Sequence, residues 1–165
     1  MPEKERIIGK FMTIDPGVNM GFAVFSPDQV TPIDTHLIKV PKDSKWLATK
    51  AIVFSGTKKF LEQWKAKELQ HCFIEQPQFF SSALGLVAAK SDALLKLIHI
   101  AAITEYQANE LNIETKMLRI VDWKGQLSKE QVSWRIGKIL GASFPNHIAD
   151  AVGMGLYLKG ELLEK

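Results

Sequence analysis

The stretch that most constrains this chain is FMTIDPGVNMGFAVF, residues 11–25, where two apolar runs flank Asp15, Pro16 and Gly17. Ile7 to Ile14 reads as a mostly apolar strand ending at Asp15, and Gly21 to Phe25 as its hairpin partner after a Pro-Gly turn. A carboxylate at the end of a buried strand is costly unless something answers its charge. Asp15 is therefore the first candidate for function.

A third strand is expected from about Ile33 to Val40. The pattern then changes, because Trp46, Lys50, Val53, Thr57, Phe60, Leu61 and Trp64 recur at helical spacings of three and four. HCFIEQPQ returns to strand over Cys72 to Glu75, stopped by Pro77, and it too ends on a carboxylate. From about Ser81 to Leu111 there is no proline and one glycine, which predicts one helix of about 45 Å, longer than a small core needs. Its excess length is a candidate dimer surface. Thr115 to Val121 is expected as strand. Ser128 followed by Gln131 forms a capping-box pattern, and Gly141 closes that helix. A last helix begins near Asn146 and runs to Leu158.

Three strands, helix, strand, long helix, strand, helix, helix describes a mixed α/β domain with crossover connections, in which ligands gather beyond the carboxyl ends of the strands. The 165 residues are the size of one ordinary domain, expected to span 1–165. If the strands ending at Asp15 and Glu75 are neighbours, their carboxylates converge and call for a cation or a proton between them. His147 and Asp150, three apart, project from one face of a helical turn. The helix N-terminus disfavours imidazolium, which favours a neutral His147 able to bind metal or act as a base. Such mainly oxygen donors suit Mg²⁺ or Mn²⁺ better than a closed zinc site. Two ions ~4 Å apart would activate water and stabilise the leaving oxygen of a phosphodiester. Plainer readings stand beside these: Asp before Pro-Gly is common in turns, Glu75 suits an edge strand, and His147 with Asp150 suits a helix cap.

The net charge of +3 tolerates an anionic partner without establishing one. A single cysteine, Cys72, excludes an internal disulfide and a Cys-rich zinc site, and fits a reducing cytosol. The opening MPEKERIIGK lacks the apolar core of a signal peptide, and no run reaches the ~18 apolar residues of a membrane span. A cytoplasmic or nucleoid-associated protein without a membrane partner is expected.

Taken in order, IDPGVNMGFAV, FIEQPQFF and NHIADAVGMGLY closely resemble the signature segments of the RuvC family of Holliday junction resolvases, in the ribonuclease H-like superfamily. The resemblance covers nearly the whole chain, including WKGQLSKEQV, where that family has a basic loop before a helix. VNMG departs from the commoner Ser/Thr-containing versions but keeps Gly21, and the surroundings resemble a phage or prophage-type member. The resemblance implies a ribonuclease H-like mixed five-stranded sheet flanked by helices. It also implies a homodimeric endonuclease that binds four-way DNA junctions and makes paired nicks with Mg²⁺, for which Mn²⁺ substitutes. Carried over by position, the metal-binding acidic residues are Asp15, Glu75 and Asp150. His147 takes a fourth position that is acidic in some relatives and histidine in others.

On this resemblance the mechanism is in-line attack of metal-activated water on a junction phosphate. Phe79 and Phe80 are candidates for stacking on an unpaired base, with core filling as the alternative. Lys124 and Lys129, around Gly125, would meet phosphates together with free helix N–H groups. Trp123 reads as a packing anchor, Lys90 and Lys96 as a solvated face, and Lys116 and Arg119 as weaker DNA contacts. Alternatives on the same fold are a broader branched-DNA nuclease and a nuclease for RNA in a hybrid. A non-catalytic junction-binding protein would have dispensed with the carboxylates, and a nucleotide-binding fragment of the actin and sugar-kinase kind would need two domains. No residue pattern specifies a nicking sequence or a helicase-like partner.

Overall fold

The computed structural model describes residues 7–78 and 92–162. Five strands, β1 (Lys10–Asp15), β2 (Met20–Phe25), β3 (Asp34–Ile38), β4 (Leu69–Gln76) and β5 (Glu114–Arg119), form one sheet in the order β3-β2-β1-β4-β5. The hairpin β1–β2 and its extension to β3 are antiparallel, whereas β1, β4 and β5 run parallel. Among the described residues five helices accompany the sheet: α1 (Trp46–Lys65), α2 (Ala93–Glu110), the single turn α3 (Ile120–Trp123), α4 (Lys129–Leu140) and α5 (Asn146–Leu158). None of the described helices is long and apolar enough to cross a membrane.

The alternation of side chains along each strand divides the core in two. Met12, Ile14, Met20, Phe22, Val24, Cys72 and Ile74 face α1 and α2, where Val53, Phe60, Leu61, Trp64, Ile100, Ala101 and Ala108 cover them. Phe11, Ala23, Phe25 and Phe73 face the other way, against Trp123, Val132, Ile136, Ala151, Val152, Met154 and Leu156 of α3, α4 and α5. Helices on both faces explain why β1, β2 and β4 read as continuous apolar runs rather than as alternating ones.

Helix α5 lies close on β1 and β2. Buried Thr13 donates its hydroxyl proton to the Ala151 carbonyl at 2.7 Å, and a Cβ on Gly155 would overlap the ring of Phe25. The run of small residues in α5 thus permits an approach that larger side chains would block.

Several boundaries depart from the sequence expectation for identifiable reasons. Strand β1 starts at Lys10 rather than Ile7, because Gly9 before it has a φ of 89°. β4 is longer than expected at both ends. β5 stops at Arg119 and not Val121, since Arg119 grips Asp122 with two hydrogen bonds of 2.8 and 2.7 Å and turns the chain into α3. A single helix over 81–111 does not form: Asp92 is left-handed with φ 58°, and α2 begins after it with 18 residues. Residues 79–91 lie outside the described residues. The capping box of Ser128 with Gln131 and the left-handed Gly141 bound α4 as expected.

Candidate active site

The parallel pairing of β1 with β4 aligns Ile14 with Ile74, so the next residues, Asp15 and Glu75, end adjacent strands. Both fall on the face covered by α5, opposite in parity to Ile14 and Ile74. The first turn of α5 reaches the same edge and brings His147 and Asp150. Gly21, the partner of Asp15 across the hairpin, makes room for it: a Cβ there would overlap the His147 carbonyl and lie 2.8 Å from the Ile148 nitrogen. Gly21→Ala is expected to lift this turn from the sheet, at about 1–3 kcal/mol by urea unfolding. Unchanged stability would show that the helix start yields freely.

The result is a cleft of about 400 Å³ lined by Asp15, Glu75, His147 and Asp150, with Lys124 and Lys129 of the loop before α4 and the first turn of α4, and with Ile120, Gly125 and Leu127. His147 Nδ1 lies 2.8 Å from Asp15 Oδ2. The Trp123 indole donates from Nε1 to Glu75 Oε2 at 3.0 Å. Lys124 Nζ and Lys129 Nζ approach the two oxygens of Asp150 at 3.7 and 3.9 Å. Every carboxylate of the site therefore has a partner distant from it in sequence.

Burial, opposed by the His147 bond and reinforced by the nearby Asp150, holds the Asp15 carboxyl above its ordinary range. Glu75 is pushed up to about 8, chiefly by burial and then by the charges of Asp15 and Asp150, against the pull of the Trp123 N–H and Lys124. The Asp15 bond raises His147. That direction is opposite to the one expected from the helix terminus, because a carboxylate 2.8 Å away favours the proton on the His147–Asp15 pair.

Three carboxylates and one imidazole are a donor set suited to a hard divalent cation, and such an ion would favour the ionised forms that burial disfavours at Asp15 and Glu75. As they stand, no three His, Cys, Asp or Glu side chains among the described residues are gathered closely enough to hold one ion. The chemistry of the donors fits; ligation would require them to exchange their present partners.

No family model matches the sequence, and no curated protein matches it. In structure the chain is similar to RuvC of Thermus thermophilus in complex with a Holliday junction substrate, with a TM-score of 0.71 at 17% identity over 90% of this chain and 91% of that one. Another structure of Thermus thermophilus RuvC gives 0.67 at 18% identity, covering 90% and 92%. The chain has a RuvC-like fold.

That RuvC-like fold has the mixed five-stranded sheet flanked by helices expected from the sequence. It brings together Asp15, Glu75, His147, Asp150, Lys124 and Lys129 in one cleft. Phe79 and Phe80 lie outside the described residues. Two expectations for the basic loop change. Lys124 is mostly covered, with 13% of its side chain exposed, and both lysines approach Asp150, Lys129 from a largely exposed position. The Ser128–Gln131 capping box also occupies N–H groups at the start of α4 that were expected to be free. Sequence reasoning missed the hydrogen bond of Trp123; the available signal was that a buried indole N–H needs an acceptor. Arg119, considered as a DNA contact, is engaged with Asp122.

Proposed function

We propose that this protein is a structure-specific endonuclease that resolves four-way DNA junctions by paired, divalent-metal-dependent nicks. The observation that carries the reading is the convergence of Asp15, Glu75, His147 and Asp150 on one cleft with two lysines. Support comes from the RuvC-like fold, whose solved counterpart holds a Holliday junction substrate.

Asp15, Glu75 and Asp150, with His147, would hold Mg²⁺ or Mn²⁺, which when bound supplies an activated water and neutralises charge on the scissile phosphate. The chain's own residues do the rest. His147, committed to Asp15 through Nδ1, has Nε2 left to hold or move a proton. Lys124 and Lys129 would exchange Asp150 for phosphate oxygens and offset the charge that develops there. Ile120 and Leu127 give the cleft an apolar wall, which would limit water at the reacting phosphate.

Paired nicks require two sites related by two-fold symmetry, hence a homodimer. Helix α2 supports one. Ile100, Ala101, Thr104 and Ala108 bury one side of it, while Leu95, Ile98, Ala102 and Tyr106, at spacings of three, four and four, are exposed along the opposite side. A helix apolar on two opposite sides has a second surface to cover. Ile98→Asp is expected to convert the dimer to monomer in sedimentation and to uncouple the two nicks; a monomeric wild type, or a dimeric variant, would contradict this.

The deciding assay is cleavage of an end-labelled mobile four-way junction in Mg²⁺, beside linear duplex and an RNA–DNA hybrid. Symmetric nicks confined to the junction, abolished by chelator, are expected. Cleavage of the hybrid alone would move the function to a ribonuclease, and binding without cleavage would remove the metal mechanism.

A further inference from the structure

Trp123 combines three features that packing alone does not require. Its side chain is fully buried, 0% exposed, beneath α5. Space for the indole depends on Gly153, where a Cβ would come within 2.9 Å of Trp123 Cζ3. Its single polar atom, Nε1, points to Glu75 Oε2 at 3.0 Å. An indole N–H is a donor only, so it can bond to an oxygen of Glu75 but cannot itself ligate a cation or accept a proton. It restricts the carboxylate and leaves the second oxygen, Oε1, for the cleft.

The neighbouring residue acts on the other side of the site. Lys124 Nζ lies 3.7 Å from Asp150 Oδ1 and 5.6 Å from the centre of the Trp123 ring. Adjacent residues at the end of one short helical turn thus hold two carboxylates that come from β4 and α5. The turn is anchored on one side by the buried indole and on the other by the Arg119–Asp122 pair. The turn meets Glu75 through one hydrogen bond.

We infer that Trp123 is a positioning residue, whose indole N–H fixes the Glu75 carboxylate so that one oxygen remains directed to the proposed metal and phosphate site. The inference rests on the reading of the cleft as a divalent-metal nuclease site. Outer hydrogen-bond partners of ligating groups commonly change affinity or rate by 10–100-fold.

Trp123→Phe keeps an aromatic ring in the pocket and removes the N–H. At a melting temperature close to wild type, it is expected to lower kcat for junction cleavage about 10–100-fold with little change in KM, and to weaken calorimetric Mn²⁺ binding by a similar factor. Wild-type kcat and wild-type Mn²⁺ affinity in a folded variant would overturn the inference. A second measurement is independent of turnover and of the variant's folding. The Trp123 indole N–H proton resonance, in otherwise wild-type protein, should lie downfield and lose that position in Glu75→Ala; a resonance indifferent to Glu75 would overturn the inference. If wild type neither cleaves branched DNA nor binds Mn²⁺, the nuclease reading fails, and the indole resonance still decides whether Trp123 restrains Glu75.

Discussion

Asp15→Asn is expected to lower junction cleavage by about 10²–10³-fold or more while junction affinity stays within a few-fold of wild type. The amide nearly matches the carboxylate in volume, and its oxygen can still meet His147, so the first turn of α5 should stay docked. What is lost is a negative charge at a buried position, 8% exposed, where three strand-end and helix-end carboxyl groups face one cleft. A divalent cation gathers less readily around fewer anionic oxygens. Binding should not suffer, because removing an acidic group from a cleft with two lysines lowers repulsion of phosphate. Gel-shift titration in Ca²⁺ beside cleavage in Mg²⁺ separates the two effects. Cleavage near the wild-type rate would exclude Asp15 from the chemistry.

Glu75→Gln should lose activity yet gain stability, and the gain should depend on pH. Burial and the neighbouring carboxylates push Glu75 up to about 8 in the folded protein, whereas its ordinary value is 4.5. Between these values the folded chain keeps a proton that the unfolded chain releases. Stability therefore falls as pH rises from 4.5 toward 8, and the full penalty is present above 8. The amide cannot ionise and escapes that penalty. In metal-free buffer at pH 9 the variant is expected to exceed wild type by a few kcal/mol, or roughly 5–10 °C in melting temperature, with little difference at pH 4. Adding Mn²⁺ should stabilise wild type more than the variant and narrow the gap. A wild type more stable than Glu75→Gln at pH 9 without metal would mean that Glu75 is not penalised by ionisation.

The same burial that makes Glu75 costly made it conspicuous in the sequence. A carboxylate at the end of an apolar run, repeated at Asp15, is a local signal, and the pairing of those two strands is the step that turns it into a site. The helix carrying Ser128 and Gln131 was legible for a similar reason, since both partners of its cap lie within four residues. Contacts between distant segments were not. Nothing near Lys124 or Lys129 announces Asp150, and nothing near His147 announces a carboxylate 132 residues earlier that raises its proton affinity. Trp123 looked like packing because its apolar surface dominates its pattern. The break at Asp92 escaped because a left-handed aspartate leaves no mark on hydrophobic periodicity.

The close seating of α5 against β1 and β2 has a consequence for biosynthesis. The strand carrying Asp15 is made early and the helix carrying His147 and Asp150 late, with Gly21, Thr13 and Phe25 waiting as its berth. A nascent chain that has completed all five strands still has no cleft, because half of its acid–base groups are on the undocked helix. On the proposed reading, a chain lacking α5 would therefore be unable to cut DNA, and that capacity would arrive only once α5 docks on the sheet.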